Sequence, residues 1–286
     1  MPLTIKKSVL LIAGPTASGK SALAIAEAQA RGGVIINADS MQVYKELRII
    51  TARPSTEEEA LVPHRLFGHI SGADDYSTAA WLEEAESEIR VCWETKQLPI
   101  ICGGTGLYFT ALEQGLAKLP PIDPEIREKW RNFQGDLHVE LKQRHTESAA
   151  RLNSADRQRL IRSLEVLEST GKPLIEWQKQ AQNESILQDA NIERMFMDVP
   201  REELYLRAER RFDEMLEQGA IDEVRSLPNI DPAQPIMKAI GVPELLAHIK
   251  GEITLVQAKI SAKTATRNYI KRQMTWFRGQ MKAWQT

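Results

Sequence analysis

Three observations predict an α/β fold, with a mostly parallel sheet flanked by helices and an added all-helical insertion. Short apolar runs at Val9–Ala13, Val34–Asn37 and Leu98–Cys102 each lead into a polar or glycine-rich turn. Helical patterns follow, the alternation that builds parallel sheets. The first of these turns, Gly14-Pro15-Thr16-Ala17-Ser18-Gly19-Lys20-Ser21, fits the phosphate-loop pattern G-x-x-x-x-G-K-[ST] without a gap. From Gly115 to about Asp189 strand signals vanish and amphipathic helical segments take over. The expected organisation is a phosphate-loop α/β core over residues 1–114 and 191–286, interrupted by a helical insertion domain over 115–190.

In the phosphate loop, Gly14 and Gly19 let the backbone turn tightly with its N–H groups inward. Lys20 adds a point charge, and the helix opening near Lys20 turns its positive end to the same spot. Ser21 is the expected Mg²⁺ ligand. The loop establishes a phosphate and not a reaction, because kinases, hydrolases and transferases share it.

The second strand ends at Asn37 and runs into Ala38-Asp39-Ser40-Met41-Gln42. Asp39 thus falls just past a strand's carboxyl end, the edge where open α/β sheets bind ligands. An Asp in this position also suits a helix or turn cap. Residues 49–75 carry Pro54, Pro63, Gly68 and Gly72 and read as loops around a short helix. His64 and His69 have no partner at metal-ligand spacing. From Ser77 to Thr95, Trp81, Leu82, Ala85, Ile89, Cys92 and Trp93 recur at helical spacing and predict a core-facing helix. The third strand, Leu98–Cys102, passes through Gly103-Gly104-Thr105-Gly106 into another helix, which brings Thr105 to the same edge. It does not end in Asp or Glu, so the metal-holding carboxylate of a phosphate-loop ATPase is missing, which argues against nucleotide hydrolysis.

In the insertion, Leu119-Pro-Pro-Ile-Asp-Pro124 acts as a linker. Further on, Leu160, Leu164 and Leu167 form a core-facing stripe with Gln158, Arg159 and Arg162 off it. Met195–Val199 predicts a strand returning to the sheet, and Pro200 the first position of a long helix. That helix buries Leu204, Ala208, Phe212 and Met215, with Arg207 at the margin, able to reach inward. Thr254-x-x-Gln257 makes a capping box opening a last helix without Gly or Pro until Gly279. Lys259, Lys263, Arg267 and Lys271 share one broad face of it, interleaved with Tyr269, Trp276, Phe277 and Trp284.

The 286 residues, 42% hydrophobic, suffice for one large core or a core with a smaller unit. Cys92 and Cys102 sit in apolar runs without C-x-x-C and read as buried free thiols. Lys6-Lys7 before Val9–Ala13 mimics a secretory signal, but the run is short and feeds into the phosphate loop. No stretch is long enough to span a membrane, and a cytoplasmic protein is expected. The net charge of −2 hides an asymmetry: residues 253–286 hold seven Lys or Arg, Lys282 included, and no Asp or Glu. The rest is thirty basic against thirty-nine acidic residues, so a polyanion-binding tail on an acidic body is expected.

Together these residues resemble the tRNA dimethylallyltransferase (tRNA isopentenyltransferase) family. The resemblance is carried by Gly14–Ser21, Ile36-Asn-Ala-Asp-Ser-Met-Gln-Val-Tyr44 and Gly103-Gly-Thr-Gly-Leu-Tyr108. It extends through Asp156-Arg-Gln-Arg-Leu-Ile-Arg-Ser-Leu-Glu-Val166 and Thr266-Arg-Asn-Tyr-Ile-Lys-Arg-Gln-Met-Thr-Trp-Phe277, in family order over nearly the whole chain. Ile50-Thr-Ala-Arg-Pro54 departs from the usual Gly-Thr-Ala-Lys-Pro, and Gly241-Val-Pro-Glu244 from Gly-Tyr-Lys-Glu. Neither change touches the proposed chemistry, and both lie where loop contacts with RNA could change.

The resemblance implies a P-loop NTPase-like core and transfer of a dimethylallyl group from dimethylallyl diphosphate to N6 of the adenosine 3′ of the anticodon, in tRNAs reading codons that begin with U. It implies a diphosphate in the loop Gly14 to Ser21, Mg²⁺ on Ser21, and a monomer. Catalysis falls to Lys20 and Arg207 as charge stabilisers, Asp39 as base and Thr105 as a hydrogen-bonding partner. The anticodon stem-loop would meet Asp39, Ser40, Met41, Gln42, Arg127, Gln158, Arg159, Leu160, Ile161 and Arg162. The tail, Lys259, Lys263, Arg267, Lys271 and Arg272, would meet phosphates. On the residues alone, a kinase and an RNA-binding module that only senses a nucleotide stay open.

Overall fold

The computed structural model describes residues 7–181, 185–281 and 284; Lys6 and Lys282 lie outside them. The chain divides into two compact units, Met1–Leu112 with Asp189–Thr286, and Glu113–Gln188. In order along the first part come β1 (Ser8–Ala13), α1 (Lys20–Arg31), β2 (Gly33–Asn37), α2 (Thr56–Leu61), β3 (His64–Arg65), α3 (Thr78–Glu94), β4 (Leu98–Gly103) and α4 (Gly106–Gln114). The second unit holds α5 (Pro124–Asn132), α6 (Leu137–Arg144), α7 (Thr146–Ala150), α8 (Arg157–Thr170) and α9 (Leu174–Ala181). The chain then returns through β5 (Asn191–Phe196), α10 (Arg201–Glu217), α11 (Ala220–Arg225), a 3₁₀ turn at Pro235–Lys238, α12 (Val242–Ile249) and α13 (Leu255–Gln280).

All five strands are parallel, in the order β3-β2-β4-β1-β5. From Val9 to Ala13, β1 is fully buried, as is every residue of β2, because both sheet faces are covered. Their continuous apolar runs are the sequence image of that burial. β5 has no such run, since it lies at an edge where Glu193 pairs with the Arg31 guanidinium of α1 at 2.7 Å. The strand therefore begins at Asn191, earlier than the apolar stretch Met195–Val199 suggests, and Pro200 is the N-cap of α10 rather than its first residue. The two-residue β3 leaves no periodic signal. Cys92 and Cys102 are buried free thiols, as expected.

Register pairs Ala13 with Gly103 and Asn37 with Cys102. The loops after β1, β2 and β4 therefore leave the sheet at one level on one edge. In the second unit, Trp130, Leu137, Leu141, Ala149, Leu160 and Leu164 form a separate core, with α5, α6 and α8 each capped by an aspartate.

Candidate active site

The loop after β1 takes left-handed backbone at Ala17 (φ 64°) and Gly19 (φ 90°). Alternation of hand in a short segment turns successive N–H groups into a concave anion nest. Gly19 caps α1 without a side-chain hydrogen bond, so the first amides of that helix stay available to an anion. Ser18 is 2% exposed and its hydroxyl has no partner. A buried orphan hydroxyl costs about 1–3 kcal/mol, and an oxygen-rich ligand in the loop would satisfy it.

Asp39 is held by Asn37, which is fully buried. The Asn37 Oδ1 accepts from Asp39 N at 2.8 Å, while Nδ2 donates to Asp39 O and Leu66 O, both at 3.0 Å. One carboxylate oxygen, Oδ1, accepts from Met41 N at 2.9 Å. Gly104 marks where the three loops meet: a methyl group there would lie 2.4 Å from Gln273 Nε2, 3.3 Å from Gly14 O and 3.7 Å from Asp39 Oδ2. Thr105 Oγ1 accepts from Ser40 N at 2.9 Å and donates to Ser40 Oγ at 3.3 Å, so it holds the Asp39-Ser40 turn. Trp81 donates its indole N–H to Asn37 O at 2.7 Å and stacks on Tyr108 at 4.1 Å. Both are supports beneath Asp39.

Lys20 lies beneath the loop with Nζ 3.4 Å from Pro15 O. Burial pushes its ammonium pKa down, opposed by Cys102 and Asp39 and reinforced by the Arg211 charge. The Cys102 thiol is raised to about 11, chiefly by burial. The second cation is not Arg207. That residue stands exposed on α10, ion-paired with Glu203 one turn earlier. One turn later, Arg211 donates to the Thr16 hydroxyl of the phosphate loop. Its pKa is pushed down by burial, with Asp39 opposing the shift. Position 207 sits about 40° further round the helix than 211 from the residues packed inward, Leu204, Ala208, Phe212 and Met215. Arg211 borders that stripe and has the same four-residue spacing from Arg207 that hides the choice in sequence.

α13 reaches the site through Gln273, 6% exposed, which the sequence reading left out of the site. Its Oε1 accepts from Thr16 N at 2.9 Å and its Nε2 donates to Gly104 O at 2.9 Å. One side chain thus joins the loops after β1 and β4. Tyr269, one turn before, has its phenol pKa pushed up by burial and then by Asp39. Trp276 lies against Gly106, where any Cβ would come within 2.0 Å of the indole.

The basic face of α13 proves to be largely a helix-packing device. Lys263 donates to Asp213 Oδ2 at 2.7 Å, Lys259 makes an off-axis ion pair with Oδ1 at 2.8 Å, and Arg267 Nε sits 2.9 Å from Glu209 Oε1. Carboxylates of α10 already hold these three, which leaves less of their charge for the RNA phosphates expected there. Lys271 and Arg272 remain exposed, Arg272 over the Tyr269 ring at 5.6 Å. The double variant Lys259→Gln/Lys263→Gln should keep the salt dependence of RNA binding and lose about 0.5–1 kcal/mol of stability, read by denaturant unfolding. The two ammonium groups hold the Asp213 carboxyl below its ordinary range. Their contribution should accordingly be complete above about pH 4 and fade as pH falls further.

In the helical unit, Leu160 is 1% exposed and belongs to the core, so its side chain has no surface to offer RNA. Ile161 packs against that core. Gln158 is exposed, Arg159 pairs with Asp156 at 3.3 Å, Arg162 pairs with Glu165 at 3.3 Å, and Arg127 is half-buried on α5. The two departures from the family pattern touch each other. Ile50 lies against Gly241 (φ 100°), where a Cβ would meet Ile50 Cδ1 at 2.6 Å, and Ile50 and Val242 share one core. Ile50 and Val242 are both buried, so neither side chain has a surface to offer RNA.

The chain matches the IPP transferase family over residues 42–280 and the Isopentenyl transferase family over residues 7–67. A tRNA dimethylallyltransferase of Azorhizobium caulinodans is 48% identical, covering 98% of this chain and 92% of that one. One from a Bradyrhizobium species is 49% identical, covering 97% and 92%. Among solved structures, a eukaryotic dimethylallyltransferase acting on tRNA superposes with a TM-score of 0.80 at 28% identity, over 95% of this chain and 70% of that one. The full-length tRNA isopentenylpyrophosphate transferase of Bacillus halodurans gives 0.65 at 31% identity, over 96% and 88%. With a family match over most of its length and half its residues shared with such relatives, a P-loop core carrying Asp39, Lys20 and Arg211 on one sheet edge is that of a member of the tRNA dimethylallyltransferase family.

Proposed function

We propose that the protein transfers the dimethylallyl group of dimethylallyl diphosphate to N6 of the adenosine 3′ of the anticodon in tRNA, releasing diphosphate. The observation that carries the reading is the convergence of an anion nest with an orphan Ser18 hydroxyl, two desolvated cations and the anchored carboxylate of Asp39. N6 attacks the allylic carbon, the C–O bond breaks with its electron pair going to the diphosphate, and the N6 proton passes to Asp39. Lys20, Arg211 and the loop amides stabilise the charge that grows on the leaving oxygen. An adenine stacked in an anticodon loop must be extruded to reach this edge, and Ser40, Met41 and Gln42 are placed beside Asp39 to receive it.

Among the described residues no group of three or more His, Cys, Asp or Glu could hold a metal. Mg²⁺ bound by diphosphate oxygens and one hydroxyl would need no such group, because it keeps several waters and takes few protein ligands. Ser21, in the first turn of α1, would hold it. Bound there, it would add positive charge to the leaving group.

The test is mass analysis of nucleosides from unmodified tRNA incubated with the protein, dimethylallyl diphosphate and Mg²⁺. A dimethylallyl increment on adenosine is expected, with no steady ATP turnover in a parallel assay, since β4 ends in Gly103 rather than a carboxylate. Unmodified adenosine would refute the reading.

A further inference from the structure

Glu223 of α11 lies outside the crevice and 173 to 175 residues away in sequence from the segment it binds. Its Oε1 accepts from Arg48 N at 2.7 Å and Ile49 N at 2.8 Å, and its Oε2 from Ile50 N at 2.9 Å. Three backbone amides on one carboxylate tie the loop 48–54 to a distant helix, in addition to its own bonds. Those local bonds are Thr51 Oγ1 to Leu47 O at 2.7 Å, Ala52 N to Ile49 O at 2.9 Å and Arg53 N to Arg48 O at 3.0 Å, with Ala52 at φ 52°, an uncommon conformation outside glycine.

The loop's far side meets Gln42. Its Nε2 donates to Thr51 O and Ala52 O, both at 3.0 Å. Two carbonyls can only accept, so the loop consumes both amide protons of Gln42 and leaves Oε1 as the group it can present, a pure acceptor. Gln42 lines a small cavity, of about 10 Å³, together with Lys20, Ser21 and Pro54 beside the phosphate loop. We propose that Glu223 is a positioning residue which, by clamping the loop 48–54, locks Gln42 as a hydrogen-bond acceptor for a donor group of the RNA substrate, an exocyclic amine or a 2′-hydroxyl.

The inference rests on the tRNA reading above, and its test avoids prenyl transfer so that the two can fail separately. Binding of an anticodon stem-loop and of inorganic diphosphate is titrated for wild type, Glu223→Ala, Gln42→Ala and the double variant. Each single change should weaken RNA binding roughly three- to tenfold, the worth of about one hydrogen bond. The double variant should stay within about twofold of the weaker single one, because both changes remove the same contact. Diphosphate affinity should fall clearly less than RNA affinity, since Gln42 and Glu223 spend these hydrogen bonds on the loop 48–54 and not on Gly14–Ser21. Multiplicative losses, wild-type RNA affinity in Glu223→Ala, or an equal loss of diphosphate binding would overturn the proposal. Should Glu223→Ala fail to fold, Glu223→Gln keeps the volume and turns an amide against one backbone N–H, and the same cycle decides.

Discussion

Asp39→Asn is expected to abolish prenyl transfer while leaving diphosphate binding intact or slightly tighter. The turn that holds residue 39 depends on Asn37, whose amide bonds the backbone of Asp39 rather than its carboxylate. The one side-chain bond, from Met41 N to Oδ1, is accepted equally well by an asparagine oxygen. The substitution is therefore close to neutral in shape and specific in chemistry: the amide cannot take the N6 proton. General-base contributions of roughly 10²–10⁴-fold are lost in such cases. Losing a negative charge beside an anion site favours the diphosphate. Single-turnover transfer to tRNA and a separate diphosphate titration measure the two effects. Wild-type transfer by Asp39→Asn would remove it from the mechanism.

What could be read from the sequence, and what could not, follows from the range of the forces involved. The phosphate loop, the strands at Val34 and Leu98, and the turn at Asp39 are contiguous devices, each a local pattern with a local cause, so they are legible. Gln273 and Glu223 are not, because each acts on loops more than a hundred residues away and nothing in its own neighbourhood sets it apart. The basic face of α13 was legible as a periodicity, but its partners, Glu209 and Asp213, lie on another helix. Charge periodicity tells which residues share a face and not what that face meets. Edge strand β5 was legible only at its Met195-Phe196 end, since a half-covered strand needs no apolar run and its start at Asn191 carries none.

The same limit governs the choice between Arg207 and Arg211, and it gives the second large expected effect. Both lie on α10, and a four-residue offset rotates a side chain by about 40° around a helix, enough to move it from solvent to the crevice. Arg211 reaches the Thr16 hydroxyl of the phosphate loop, and Asp39 and Lys20 both feel its charge. Arg207 holds only Glu203 on the exposed side. Arg211→Gln should lower transfer by roughly 10²–10³-fold, the scale for losing one preorganised charge stabiliser at a leaving group. Most of that loss should fall on kcat, because the charge on the diphosphate is greatest in the transition state. The Lys20 ammonium should titrate higher in this variant, since one of the causes depressing it is removed. Arg207→Gln should cost less than about threefold, in keeping with an exposed i, i+4 pair. Measuring kcat and KM for both variants on the same tRNA separates the positions, and an Arg207→Gln loss as deep as that of Arg211→Gln would return the leaving-group role to Arg207.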